Sequence, residues 1–298
     1  MKHIVFCPYI SSMWASMSQL YAEHVAAGDN VMVMPLPYAV RSPNGMTLEY
    51  KTDTDYPVPV IEADAGLLRE MHPDTIYFHN PYDGNNLITQ VRPEFFSKRL
   101  AERTNNLIYV PYYTIPMSSG NDLKRIMTAP GVKRAHRIIV YSEESARAYF
   151  SVLGSAWEGR IIVKPRQAPR TDYAMPDEWA EMARDRRLIM LGTSLAALIN
   201  REDEELDRIT KTIMDNQNDL VCLLWRPHPL YEAALTSMLP ELRERYHAIV
   251  RDFTANNRGI LDTSWDVERA VALCSEYIGD ASSVVGFFHE QGKPVRLI

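Results

Sequence analysis

Short apolar runs alternate along the chain with longer segments in which apolar residues recur at helical spacing. The apolar runs are rich in β-branched and aromatic residues, which is typical of strands buried on both faces. Strands and helices that follow one another in this order predict parallel sheets covered by helices. In the first half the predicted strands are 3–8, 30–35, 75–79, 106–110, 137–141 and 160–163.

The pattern is interrupted over residues 164–186. Three prolines and a run of charges in this segment are typical of a linker between domains. The pattern then resumes, with predicted strands at 187–191, 220–225, 247–253, 276–279 and 294–298 and predicted helices at 202–216, 231–245, 264–274 and 283–291. We therefore predict an α/β protein of two doubly wound, Rossmann-like domains, 1–163 and 187–298, joined by that linker.

Composition narrows the class of protein. The chain has 298 residues, enough for two domains of about 150 residues each. A net charge of -6 provides no overall basic field for nucleic acid or an anionic membrane. Cys7, Cys222 and Cys274 lie in or at the end of apolar runs without metal-type spacing, which indicates buried thiols in a reducing compartment. No signal peptide and no long apolar span are evident, so we expect a cytoplasmic protein.

The clearest chemical signal is the turn that follows the predicted strand 276–279. Asp280, Ser282 and Ser283 lie where this strand passes directly into a helix. Serine hydroxyls cap helices, and the free N–H groups and dipole of a helix N-terminus bind anions. Either the turn binds an anion, or the serines are a plain cap with nothing bound.

A second turn of this type, formed by Gly192, Thr193 and Ser194, follows the predicted strand 187–191. Glycine allows close backbone approach, and both hydroxyls could reach a phosphate oxygen. Open α/β sheets bind ligands at the carboxyl ends of their strands. Two such turns in one domain therefore favour a shared phosphate-bearing ligand, such as a nucleotide diphosphate.

A third signal, Arg226-Pro227-His228-Pro229, ends the most apolar strand of the second half. The prolines stiffen the backbone and end the strand, so that both side chains are presented rather than buried. Arginine can bind phosphate oxygens in a bidentate manner, and histidine can act as an acid at a bridging oxygen. A single histidine is more often structural, but this rigid setting favours function.

In the first half, His79 and Asp83 lie on the segment after the predicted strand 75–79. They could orient and deprotonate an acceptor hydroxyl. An equally good interpretation is that the Asn, Pro, Asp and Gly residues of this segment simply form a turn. Motifs for a Gly-rich phosphate loop, a serine-nucleophile elbow or a zinc site are missing from the sequence, so we predict no metal and no cofactor.

Four motifs follow one another in the C-terminal half: Arg226-Pro227-His228-Pro229, Asp262 with Asp266, Gly279-Asp280-Ala281-Ser282-Ser283-Val284 and Gly292-Lys293-Pro294-Val295. The N-terminal half contains Pro8-Tyr9 with Ser12-Met13-Trp14, His79-Asn80-Pro81-Tyr82-Asp83 and Tyr109-Val110-Pro111-Tyr112. In order and spacing the C-terminal motifs resemble the CDP-glycerol glycerophosphotransferase family of teichoic-acid-type polymer synthesis, and the N-terminal segments resemble a variant of it.

The resemblance implies a GT-B enzyme, with two domains facing a cleft, that transfers glycerol phosphate or a related polyol phosphate from a CDP-activated donor to a polyol or glycan acceptor. It places His228 at the donor pyrophosphate. It also implies that Arg226, Ser282 and Ser283 hold phosphate oxygens and that Asp266 or Asp280 orients neighbouring groups. A membrane-linked acceptor in that family implies peripheral contact with the inner membrane surface.

The family's N-terminal Trp-His-Gly segment has no match here, and His79 replaces its histidine only by position. GT-B enzymes usually continue past the last predicted strand into a helix that returns to the first domain. Two alternatives stay open, because the two predicted anion-binding turns do not distinguish one nucleobase, or one transferred group, from another. One is a GT-B nucleotide-sugar glycosyltransferase, and the other is a non-catalytic nucleotide-binding protein. The acceptor and the oligomeric state are not indicated.

Overall fold

The computed structural model describes residues 1–112, 120–167 and 170–298. The chain divides into two compact units. Unit 1 comprises Met1–Val40 and Thr47–Gln167, and unit 2 comprises Arg41–Met46 and Ala168–Ile298.

Unit 1 is built on a parallel sheet in the order β2-β1-β4-β6-β7-β8, beside a separate antiparallel pair, β3 and β5. Its strands are β1 (His3–Cys7), β2 (Asn30–Val33), β3 (Tyr38–Val40), β4 (Thr75–Phe78), β5 (Thr89–Val91), β6 (Leu107–Tyr109), β7 (Arg137–Val140) and β8 (Ile161–Val163). Its helices are α1 (Ala15–Ala26), α2 (Ala65–Met71), α3 (Ser97–Ala101), α4 (Gly120–Met127), α5 (Pro130–Arg134) and α6 (Glu143–Leu153).

All six strands predicted for the first half are present in this sheet. The central strands form because their side chains are buried; β4, for example, is buried at all four of its positions. The edge strands β2 and β8 are more exposed. Phe6 of β1 stacks on Tyr77 of β4 with 4.7 Å between ring centroids. Because the chain runs from β1 outward to β2 and returns past β1 to β4, the crevice at the carboxyl ends of the strands opens between β1 and β4.

Unit 2 is a second parallel sheet, in the order β11-β10-β9-β12-β13. Here the direction of winding reverses between β9 and β12, which places the crevice of this sheet between those strands. The strands are β9 (Arg187–Thr193), β10 (Val221–Pro227), β11 (Gly259–Leu261), β12 (Glu276–Gly279) and β13 (Val295–Leu297). The helices are α7 (Asp177–Ala183), α8 (Leu195–Arg201), α9 (Asp203–Asp215), α10 (Tyr231–Ser237), α11 (Arg243–Ala255), α12 (Val267–Leu273) and α13 (Ser283–Glu290).

The segment 164–186, predicted as a linker, contains α7. Trp179 of this helix is buried in the core of unit 2 with Met190, Leu224 and Val271. The apolar residues between the charges of this segment therefore pack as part of the second unit. Among the described residues, no helix combines the length and the apolar character needed to cross a bilayer.

The strand predicted at 247–253 is wrong, because these residues lie within α11. The short β-branched run fits either structure by itself. In the fold, Tyr246 and Phe253 are buried on one face of the helix against Trp225. The edge strand of the sheet is instead β11, where a Cβ on Gly259 would lie 2.2 Å from the Leu223 carbonyl oxygen.

Candidate functional site

Two glycines hold β9 and β12 together at the crevice of unit 2. Gly192 and Gly279 are directly paired in the sheet. Gly279 has a φ of +150°, and a Cβ there would lie 2.0 Å from the Gly192 carbonyl oxygen. The amide of Asp280 donates to that same oxygen at 3.1 Å. The two turns singled out in the sequence are therefore neighbours at the carboxyl edge of one sheet.

The turn after β9 uses its hydroxyls within the fold. The hydroxyl of Ser194 accepts from the Ala197 amide at 3.1 Å and caps α8. Thr193 is buried, and its hydroxyl accepts from the Trp225 indole N–H at 3.2 Å. The amide of Ser194 donates to Oδ2 of Asp280 at 2.5 Å. Both hydroxyls therefore accept a hydrogen bond within the fold. Because a hydroxyl that accepts one bond can still donate one, their contact with a phosphate stays a prediction.

The turn after β12 is arranged differently. Ser282 is the N-cap residue of α13, but its side chain makes no capping hydrogen bond. Its hydroxyl lies 3.3 Å from the hydroxyl of Tyr277, which donates to the Asp280 carbonyl oxygen at 2.7 Å. Ser282 is half-buried and accessible. The N-terminus of α13 thus lacks a side-chain cap, and its dipole suits a bound anion.

The two cap serines form a matched pair for mutation. We expect Ser194→Ala to lower the free energy of unfolding by about 1 kcal/mol, because it removes a capping bond. We expect Ser282→Ala to leave that free energy within about 0.5 kcal/mol of the wild-type value, because no capping bond exists to lose. Urea titrations of both variants measure this; a larger loss for Ser282→Ala would contradict the arrangement.

His228 follows β10 at the same edge. Its amide donates to the Thr193 carbonyl oxygen at 2.9 Å, and Nδ1 accepts from the Leu230 amide at 3.1 Å. This leaves the ring proton on Nε2. Burial lowers the pKa of His228 to about 4, so the ring is neutral at pH 7. A neutral imidazole of this tautomer can donate a hydrogen bond to a phosphate oxygen.

Arg226 does not lie open to a ligand as predicted. Its guanidinium forms a buried ion pair with Asp262 and donates to the Ser264 carbonyl oxygen at 2.7 Å. The side chain is 9% exposed. Asp266, predicted to orient groups at the phosphates, caps α12 by accepting from the Arg269 amide at 2.9 Å. Both residues therefore stabilise the segment between β11 and α12.

The predicted base residues of unit 1 are also engaged within the fold. His79 is 0% exposed, and its Nε2 accepts from the Tyr9 amide at 3.0 Å. Burial lowers the pKa of His79 to about 3. Asp83 accepts from both the amide and the hydroxyl of Ser97 at 2.7 Å. His79 therefore joins the loop after β4 to the loop after β1, and Asp83, which is half-buried, joins its loop to α3. A role as the base stays a prediction for both residues.

Sequence reasoning missed one group at this edge. Arg208 of α9 forms ion pairs with Glu205 and Asp280. In the sequence, Glu205 and Arg208 form an ordinary i, i+3 pair, the usual pattern of an exposed helix face. Nothing local distinguishes them from the surface pairs of this helix, since their link to Asp280 spans 72 residues.

Within the described parts of the chain, no group of three His, Cys, Asp or Glu side chains is placed to hold a metal ion. All three cysteines are free and buried, as predicted. Burial raises the pKa of Cys7 to about 12, which makes this thiol unreactive at neutral pH.

No protein-family model and no curated protein matches this sequence. Solved structures do share its fold. The S. aureus MnaA–UDP co-structure matches with a TM-score of 0.57 and 11% identity, covering 99% of this chain and 79% of that chain. For the Methanocaldococcus jannaschii UDP-GlcNAc 2-epimerase in complex with UDP-GlcNAc and UDP, the TM-score is 0.58, the identity is 10%, and coverage is 100% and 83%.

The wall teichoic acid polymerase TagF matches with a TM-score of 0.51 and 13% identity, covering 98% of this chain and 69% of that chain. At these identities the likeness establishes the fold. The predicted fold class is therefore confirmed: the chain is an α/β protein of two Rossmann-like domains of the GT-B type.

Proposed function

We propose that unit 2 binds the diphosphate of a nucleotide-activated donor between β9 and β12, and that the chain transfers a group from that donor. The observation that carries the proposal is the N-terminus of α13, which lacks a side-chain cap and lies where the winding of the sheet reverses. That position is where open α/β sheets bind nucleotides. The motif resemblance favours glycerol phosphate, or a related polyol phosphate, carried by CDP and used in cell-surface polymer synthesis.

In this proposal the acceptor hydroxyl attacks the phosphorus that carries the glycerol. A new P–O bond forms to the acceptor, the bond from that phosphorus to the bridging oxygen breaks, and CMP leaves. The helix dipole and the amides of α13 stabilise the negative charge of the phosphates. His228 donates a hydrogen bond from Nε2 to a phosphate oxygen. The acceptor's proton is released to solvent, since the ring of His79 is buried and the carboxylate of Asp83 accepts two hydrogen bonds from Ser97.

A second candidate is a nucleotide-sugar enzyme that uses a UDP-linked substrate. Two solved structures of the same fold that contain UDP favour it. A third is a nucleotide-binding protein without catalysis, favoured by the burial of His79 and by the bonds from Ser97 to Asp83. The three candidates share the site in unit 2. They differ in the nucleobase of the ligand and in whether a reaction is catalysed.

The test is a thermal-unfolding panel with CDP, CDP-glycerol, UDP, UDP-GlcNAc and pyrophosphate. A ligand specific to the native state, at a hundred times its Kd, stabilises that state by about 2.7 kcal/mol. We expect the cytidine compounds to do so selectively. Selective stabilisation by the uridine compounds would favour the second candidate. The absence of a shift with any compound would contradict the nucleotide site.

Replacing His228 separates an enzyme from a binding protein. We expect His228→Ala to lower CMP release from CDP-glycerol at least tenfold while CDP still binds. The matched control is His247→Ala on α11, whose imidazole pairs with Glu232 at a partly exposed position. The control should keep wild-type turnover. Wild-type protein that binds CDP-glycerol but releases no CMP with any polyol or glycan acceptor would favour the binding protein.

A further inference from the structure

A cluster of charged side chains joins α9 to the turn after β12. Nε of Arg208 donates to Glu205 at 2.9 Å, and Nη2 donates to the same carboxylate at 2.6 Å and also to Oδ1 of Asp280. Nη1 donates to the main-chain oxygen of Ile298 at 2.9 Å. Glu205 is fully buried and Asp280 is 5% exposed. One guanidinium therefore holds two side-chain carboxylates and a main-chain oxygen in a fixed arrangement.

The second carboxylate oxygen of Asp280 extends the cluster across the crevice. It accepts from the Ser194 amide at 2.5 Å, so that Asp280 bridges the turn after β12 to the turn after β9. The carbonyl oxygen of the adjacent Thr193 accepts from the His228 amide at 2.9 Å. A continuous path of bonds thus runs from Arg208 through Asp280 to the segment that carries His228.

The chemistry of the cluster requires arginine. Glu205 accepts two bonds from one edge of the guanidinium, which sets the plane of the group, and the remaining donors then point to Asp280 and Ile298. A lysine ammonium is a single point donor and cannot hold these three acceptors in one plane. Removal of the cation would leave two nearby carboxylates buried without compensation, and Asp280 would move away from Glu205.

We propose that Arg208 is a positioning residue for the donor site of unit 2. Through Asp280 it sets the separation of the turns after β9 and β12, and so the place of the α13 N-terminus relative to His228. Arg208 acts through Asp280 and does not itself contact the ligand. The inference rests on the proposed function, because the site it positions is the diphosphate site.

The test compares Arg208→Met, Arg208→Lys and a matched control, Arg245→Met. Arg245 of α11 also bridges two carboxylates, Asp203 and Asp207 of α9, but all three side chains are exposed. We expect the Kd for CDP, measured by calorimetry on folded protein, to rise at least tenfold in Arg208→Met. We expect a smaller rise in Arg208→Lys, which keeps the charge, and no change in Arg245→Met.

A second readout needs no ligand. The Ser194 amide is bonded to Asp280, so its hydrogen exchange should accelerate in Arg208→Met and Arg208→Lys more than exchange of the β9 amides does. A uniform acceleration throughout unit 2 would mean a general loss of stability and would overturn the inference. So would a folded Arg208→Met with wild-type affinity for CDP.

The two proposals fail separately. Wild-type protein that does not bind CDP contradicts the proposed function, and the exchange of the Ser194 amide then decides whether Arg208 positions the turns. If Arg208→Met does not fold, Arg208→Lys decides by the same two measurements. Wild-type affinity together with unchanged Ser194 exchange in Arg208→Lys would overturn the inference.

Discussion

Replacement of Gly279 by alanine is expected to lower the free energy of unfolding of unit 2 by roughly 2 to 6 kcal/mol. Two costs add. The new Cβ would lie 2.0 Å from the Gly192 carbonyl oxygen, and β9 cannot retreat without losing its pairing with β12. The φ of +150° is also a conformation that residues other than glycine rarely adopt. The same substitution would also increase the distance between the turns after β9 and β12 that form the proposed site.

The control for this prediction is Gly292→Ala in the same unit. Gly292 has a φ of +64°, and a Cβ there would meet nothing within 4 Å, so only the backbone cost of about 1 to 2 kcal/mol applies. Hydrogen exchange of the β9 amides gives the stability of unit 2 for each variant. Equal losses in the two variants would show that the contact between Gly192 and Gly279 is not the cause.

Acidification is expected to destabilise unit 1 through His79. Burial lowers the pKa of this imidazole to about 3, whereas the unfolded chain has an ordinary histidine with a pKa of about 6.5. Between these values the unfolded state binds the extra proton, so the free energy of unfolding falls as the pH falls. From neutral pH to pH 4.5 the loss from this one group is roughly 2 to 3 kcal/mol.

The measurement is hydrogen exchange of the β1 and β4 amides at pH 7, 5.5 and 4.5, corrected for the intrinsic exchange rates. His79→Gln, which keeps an acceptor for the Tyr9 amide, should be less stable at pH 7 but lose less stability on acidification. His289→Gln removes an exposed histidine from α13 and should follow the wild-type curve. A wild-type curve that is flat between pH 6.5 and 4.5 would contradict the buried, neutral state of His79.

Much of the fold could be predicted because buried parallel strands have a recognisable local sequence pattern. Each is a short continuous apolar run, and nearly all the predicted runs became strands. The failures have a physical reason. Residues 247–253 carry an apolar pattern that fits a helix as well as a strand, and the contacts of Tyr246 and Phe253 with Trp225 decide for the helix. Three-residue β11 is too short to stand out from the surrounding chain.

The position of the candidate site was predictable for the same reason. Polar turns that follow buried parallel strands must meet at one edge of a sheet, so the order of Gly192, His228 and Ser282 in the sequence was enough to bring them to one region. The steric need for Gly192 and Gly279, in contrast, depends on the pairing of β9 with β12, which local pattern does not reveal.

The sequence by itself determined the two α/β units and the edge at which polar groups collect, because these follow from local periodicity and chain order. Only the tertiary structure decided which polar side chains remain for a ligand. Arg226 pairs with Asp262, 36 residues away, and His79 accepts from the Tyr9 amide, 70 residues away. Buried polar groups must find partners wherever the fold brings them, and such partners are set by packing between distant segments rather than by sequence spacing.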